Sequence, residues 1–174
     1  EQGDESFQEV VEEAVRQVQT EVTRKAPGGG TTISAAMVIG DRVTIAHVGD
    51  SRVYFVYPDG HIQVMTHDHS LVRRLVELGQ ITDAEAALHP QRNVLYRAIG
   101  QSEPFKPDIN THLIPKPGWI LLCSDGLWSV VSEKEIIKIV KSQCNISEAC
   151  KELTRAANLA GGPDNISVVL IKID

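Results

Sequence analysis

The sequence predicts an α+β fold in which antiparallel strands and helices are grouped rather than alternated. Three observations predict it. Four segments rich in Val, Ile, Thr and Tyr follow one another between residues 31 and 65, separated only by turn residues. The segments with helical spacing lie outside that block, unlike the strict alternation of a doubly wound parallel sheet. Finally, 174 residues of which 42% are hydrophobic can bury about two-thirds of the unfolded surface. The chain is therefore read as a single domain over residues 1–174 that needs no disulfide or structural metal to hold a core.

Taken in order, Phe7, Val10, Val11, Ala14, Val15, Val18 and Val22 recur at three-and-four spacing and predict an amphipathic helix over 7–22, stopped by Pro27 and Gly28-Gly29-Gly30. Strands are predicted over 31–39, 42–48, 52–57 and 62–65. The breaks between them are Gly40-Asp41, Gly49-Asp50-Ser51 and Pro58-Asp59-Gly60, short enough to predict one antiparallel meander. Ser70 opens a short helix stopped by Gly79. Thr82 with Glu85 forms a capping box for the next, which runs towards Leu88 and ends at His89-Pro90. Strands follow over 94–99, 109–114 and 119–123, the last continuously apolar and so expected to be central. Ser132 and Glu135 make a second capping box, opening a helix with Ile136, Ile137, Ile139 and Val140 inward. Ser147 is expected to start one more, carrying Cys150, Leu153, Ala156 and Ala157, before Gly161-Gly162-Pro163 and a final strand over 166–173.

Charge and composition narrow the function classes. Seventeen Lys plus Arg against 23 Asp plus Glu gives a net charge of −6, with no basic block, which argues against nucleic acid and anionic membrane as partners. The longest apolar runs, 119–123 and 168–171, are too short to cross a bilayer, and no basic-then-apolar signal segment opens the chain. A cytoplasmic location is expected. Cys123, Cys144 and Cys150 are an odd count without Cys-x-x-Cys spacing, which suggests reduced thiols rather than disulfides or zinc.

Asp50, Asp125 and Asp164 share a context, each at the border of an apolar strand and beside or near glycine. Carboxylates held at strand ends suit hard cations such as Mg²⁺ and Mn²⁺, although Asp beside Gly is equally ordinary turn chemistry. His67 and His69 flank Asp68 without a longer zinc pattern, so a solvated loop or a satisfied polar contact is expected of them. His47 shares a strand face with Val43 and Ile45 and is read as semi-buried and structural. Ser51, Cys123 and Ser124 lie in no Gly-x-Ser-x-Gly elbow, which leaves covalent catalysis weakly supported.

Six motifs then stand in one order: Gly30-Thr31-Thr32, Val48-Gly49-Asp50-Ser51-Arg52, Asp68-His69-Ser70-Leu71-Val72, His89-Pro90-Gln91-Arg92-Asn93-Val94-Leu95, Cys123-Ser124-Asp125-Gly126-Leu127 and Gly161-Gly162-Pro163-Asp164-Asn165. From about Phe7 onward the chain resembles the bacterial PPM, or type 2C, metal-dependent protein serine/threonine phosphatases. The resemblance implies a four-layer αββα sandwich of antiparallel sheets and two Mn²⁺ or Mg²⁺ ions, with a third in many members. It implies Asp125 and Asp164 as ligands of the binuclear centre, Asp50 with Asp125 at the third site, and Asn165, Gly126 and Ser124 as residues backing those ligands. It also implies a flap over about 66–93, a phosphoprotein substrate, and hydrolysis by a metal-activated water without a phosphoenzyme.

Two departures accompany it. The family's N-terminal motifs, an acidic strand with a phosphate-binding Arg and an Asp-Gly-x-Gly-Gly segment, do not occur in this sequence. Ser129 follows Trp128 where many members carry another Asp. The expectation is therefore a phosphatase domain that needs an N-terminal segment for activity, the chain alone being nearly inactive and able to self-associate through unpaired sheet edges. The alternative is a non-catalytic phosphatase-like domain with a binding or regulatory role.

Overall fold

The computed structural model describes residues 2–101 and 105–174. Its elements are α1 (Gln2–Lys25), β1 (Ile33–Ile39), β2 (Arg42–Val48), β3 (Arg52–Val56), β4 (Ile62–Val64), α2 (Leu71–Glu77), α3 (Asp83–Leu88), β5 (Asp108–Leu113), β6 (Gly118–Cys123), α4 (Asp125–Trp128), α5 (Glu133–Ser142), α6 (Ile146–Leu159) and β7 (Val168–Ile173). The class is α+β with antiparallel sheets, as expected. The chain forms two compact units, residues 1–50 with 67–112, and residues 51–66 with 113–174.

In the first unit β1, β2 and β5 form a three-stranded sheet in that order. The tight Gly40-Asp41 turn fixes the β1 to β2 register from Ile39 opposite Arg42 to Ile33 opposite Val48. Val15 of α1 packs with Ala46, Val48, Ile99 and Phe105. Gln19 adds direction to this apolar contact: its Nε2 donates to the Gln101 carbonyl at 2.6 Å and its Oε1 accepts from the Gly100 amide at 2.7 Å. The helix is thus tied at one point by paired hydrogen bonds as well as by burial, which would otherwise tolerate sliding.

In the second unit the order is β4-β3-β6-β7. Apolar β6 is central, as its composition predicts, with Leu121 opposite Tyr54 on one side and Leu170 on the other. On this sheet α5 and α6 bury Ile136, Ile139, Val140, Ala149, Leu153 and Ala157 with Tyr54, Leu121, Leu127 and Leu170. Burying each large apolar side chain contributes roughly 1.5–3 kcal/mol, so this cluster is the main source of the unit's stability.

Four expectations are corrected. The predicted meander is broken: β2 and β3 lie in different sheets. The reason lies twenty residues further along the chain. Gly49, at φ +113°, spends its backbone amide and carbonyl on His69 rather than on a hairpin ladder. Second, residues 94–99 form no strand; Leu95 and Ile99 make single bridges to Ser70 and Thr31, and the chain turns between them. Third, Ser132 caps α5 by accepting from the Glu135 amide, but the Glu135 carboxylate pairs with Lys138 instead of returning to Ser132. Fourth, Asn145 rather than Ser147 caps α6, its side chain accepting from the Ser147 amide at 2.7 Å. The Thr82 and Glu85 capping box forms in full.

Candidate functional site

The site is built where β6 ends. Its last residue, Cys123, is buried, and the next residue, Ser124, is the N-cap of the single turn α4, whose first residue is Asp125. Ser124 is fully engaged: its amide donates to the Ser167 carbonyl at 3.1 Å, its hydroxyl donates to the Asn165 carbonyl at 2.9 Å, and that hydroxyl accepts from the Ser167 amide at 2.9 Å. These bonds sew the start of α4 to the segment leading into β7. They also occupy the Ser124 hydroxyl as both donor and acceptor.

Gly126 makes the approach possible. A Cβ there would collide with the Asn165 carbonyl and press on the Asp164 carbonyl, so any side chain would push the two segments apart. The result is that the Asp164 charge acts on Asp125 across this contact. Burial raises the Asp125 pKa above the ordinary carboxylate range, and the Asp164 charge raises it further, against hydrogen bonds from backbone amides. Asp164 is itself exposed, with its Oδ1 accepting from the Asn165 amide at 2.7 Å. Across α4, the Arg52 guanidinium stacks 3.6 Å over the Trp128 ring and donates to the Tyr54 hydroxyl, which fastens the turn to β3. Ser129 is exposed and ends α4, its amide donating to the Asp125 carbonyl.

Asp50, half-buried, closes the 1–50 segment of the first unit, directly after Gly49. Among the described residues, no group of three or more His, Cys, Asp and Glu side chains could hold a metal ion. Asp125 and Asp164 nevertheless fit a hard divalent cation. Both offer anionic oxygen, they repel each other in its absence, and Mg²⁺ keeps much of its coordination shell as water.

Sequence reasoning missed a polar network around residue 69. His69 is buried rather than in a solvated loop, so of the two expectations the satisfied polar contact holds, with partners the sequence did not name. Its Nδ1 accepts from the Gly49 amide at 3.1 Å and its Nε2 donates to Asp108 Oδ2 at 2.9 Å, while Arg97 holds Asp108 Oδ1 at 2.7 Å. Burial lowers the His69 pKa despite Asp108, so the ring is neutral and the Asp108 charge is balanced by Arg97. Burial works to raise the Asp108 pKa, but the hydrogen bonds from His69 and Arg97 outweigh it and hold it low. His47, read as semi-buried, is fully buried beside His69, with ring centroids 5.0 Å apart. The only signal in the sequence was the Asp68-His69-Ser70 motif; the partners lie too far along the chain to be paired by inspection.

The model of the protein phosphatase 2C family matches residues 1–166. This chain belongs to the protein phosphatase 2C family. A putative protein phosphatase 2C-type protein of Streptococcus pyogenes is 42% identical over 144 residues, covering 83% of this chain and 58% of the relative. The chain thus spans well under two-thirds of that relative's length. The serine/threonine phosphatase of S. agalactiae superposes with a TM-score of 0.92 at 34% identity, covering 98% of this chain and 72% of that one. The catalytic domain of the serine/threonine phosphatase PstP, solved with two manganese ions, superposes with a TM-score of 0.80 at 30% identity, over 98% of this chain and 72% of that one. Among the described residues, no helix of this family member is long and apolar enough to cross a membrane.

Proposed function

We propose that this chain carries the larger part of a metal-dependent phosphatase that hydrolyses phosphoserine and phosphothreonine in proteins, with Asp125 and Asp164 as ligands of a binuclear Mn²⁺ or Mg²⁺ centre. The observation that carries the reading is the Ser124-stapled, Gly126-permitted backbone contact that brings the Asp125 and Asp164 segments together, with the Asp164 charge acting on Asp125. Family membership supplies the reaction class. Divalent ions bound there supply Lewis acidity, lowering the pKa of water and offsetting charge on phosphoryl oxygens. The chain's own work is positional. Ser124 and the Ser167 amide fix the entry to α4, Arg52 on Trp128 restrains its far end, and the Asn165 amide orients the Asp164 carboxylate. A ligand set held this rigidly would let bound divalent ions orient the substrate, and positioning together with electrostatic stabilisation accounts for most of the catalysis in phosphoryl transfer.

Asp50 is assigned to a further, weaker divalent site. Residues 66–93 are assigned as a flap bordering substrate access; α3 within it buries no residue and Leu88 is almost fully exposed, which suits a segment that meets varied surfaces. A single functional domain over 1–174 and a cytoplasmic location complete the reading, the three free cysteines suiting a reducing compartment.

The test is calorimetric titration of Mn²⁺ into the chain and its Asp125→Asn and Asp164→Asn variants, alongside p-nitrophenyl phosphate turnover by the chain extended to the full length of its relatives. Each substitution is expected to abolish the tightest Mn²⁺ binding and to reduce turnover at least about 100-fold. Unchanged Mn²⁺ binding in both variants refutes the ligand assignment.

A further inference from the structure

Four hydrogen bonds converge on His69, whose Nε2 also lies 3.2 Å from Arg97 Nη1, a donor that the hydrogen-bearing Nε2 cannot accept from. Its amide donates to the Gly49 carbonyl at 2.7 Å, its Nδ1 accepts from the Gly49 amide at 3.1 Å, its carbonyl accepts from the Tyr96 amide at 2.9 Å, and its Nε2 donates to Asp108. Both polar groups of Gly49 are therefore held by one residue from a distant loop. No side chain is tolerated at Gly49, because a Cβ there would run into the Thr32 side chain and the residue sits at φ +113°. The next residue is Asp50.

The imidazole can accept from Gly49 only if its hydrogen sits on Nε2. Asp108 enforces that tautomer, since a carboxylate can only accept, and Arg97 fixes the carboxylate at 2.7 Å. His47 reinforces the same point from the other side, its Nε2 lying 3.0 Å from the Gly49 carbonyl.

We infer that His69 is a positioning residue for Asp50: through Gly49 it fixes the direction in which the backbone presents the Asp50 carboxylate, with Asp108 and Arg97 holding the ring in the accepting tautomer. This deepens the proposed function and rests on its assignment of Asp50 to a weaker metal site.

Two substitutions separate the roles of the ring's nitrogens. Asn places its carboxamide oxygen where Nδ1 stands, so His69→Asn keeps the acceptor for Gly49; Gln reaches the Nε2 position, so His69→Gln keeps the link to Asp108 and loses Gly49. Amide hydrogen exchange at Gly49, followed by NMR, is expected to stay near the unmodified rate in His69→Asn and to accelerate by about 10-fold in His69→Gln, the worth of one buried hydrogen bond. Equal acceleration in both, or none in either, overturns the inference in favour of simple packing. Should His69→Gln not fold, Asp108→Ala carries the test. It leaves the ring in place but frees its tautomer, and an unchanged Gly49 rate there overturns the inference.

Mn²⁺ titration supplies the second readout. His69→Gln is expected to weaken the Asp50-dependent binding event in the otherwise unmodified chain and to have no effect in an Asp50→Asn background. An equal loss in both backgrounds overturns the positioning role. If Asp50→Asn alone leaves the titration unchanged, the metal assignment of Asp50 fails, while the Gly49 exchange rates still decide what His69 does.

Discussion

Lowering the pH below neutrality should destabilise this protein through His47. The ring is buried on β2, and its Nε2 faces two carbonyls, those of Gly49 and His67, each at 3.0 Å. Carbonyls only accept, so Nε2 carries the hydrogen and Nδ1 accepts from the Ser34 hydroxyl at 2.9 Å. The neutral ring is fully satisfied. Burial, and then the neighbouring His69, push its pKa down to about 4, while Asp68, the Gly49 hydrogen bond and Asp108 pull the other way. In the unfolded chain the value returns to about 6.5.

The unfolded state therefore binds a proton that the folded state refuses. Stability from this group is fully present above pH 6.5, falls as pH drops towards 4, and levels off below it. The full difference is worth about 3 kcal/mol, of which about 2 kcal/mol is lost between pH 7 and pH 5. His69, whose pKa burial also lowers, adds to the loss in the same direction. Urea unfolding at half-unit pH intervals measures this directly. His47→Gln preserves a donor near the Nε2 position and cannot titrate, so its stability should change less between pH 7 and pH 5 by about 2 kcal/mol. Parallel stability profiles for the two proteins across that range would refute the reasoning.

Two further outcomes are expected. Gly126→Ala forces the added methyl against the Asn165 carbonyl; it should cost about 1–3 kcal/mol in urea unfolding and weaken Mn²⁺ binding by spreading Asp125 from Asp164. Thr82→Ala removes the capping box of α3 and should cost about 1 kcal/mol locally. Because α3 buries nothing, the loss should appear as faster amide exchange over 83–88 with little change in the global melting temperature.

Helices and strands with strong local signals were legible in the sequence. β2 was read at both ends, the apolar run of β6 correctly predicted a central strand, and Thr82 with Glu85 announced the α3 cap. What failed was pairing. A three-residue turn after β2 looks the same whether the chain folds back or changes sheets, and the choice was made by His69, twenty residues on, which takes the Gly49 amide. Residues 94–99 have strand composition, yet their hydrogen bonds go singly to Ser70 and Thr31. At the candidate site the motifs named Asp125, Asp164, Gly126 and Asn165. The contribution of Ser124 as a staple required coordinates, because its partners Asn165 and Ser167 lie some forty residues away.

Because β3 finds its second neighbour only in β6 and β4 pairs only with β3, the order of synthesis has a consequence. The β3–β4 hairpin leaves the ribosome roughly fifty residues ahead of β6, about 3 to 10 s at ordinary rates of elongation. A two-stranded ribbon is marginal alone, so during that interval Val53, Tyr54 and Phe55 have no sheet to enter and are available to chaperones or to other nascent chains. The three described strands of the other sheet have all been made once β5 emerges, before β6. All three strands of that sheet have thus been made while β3 and β4 still wait on both β6 and β7.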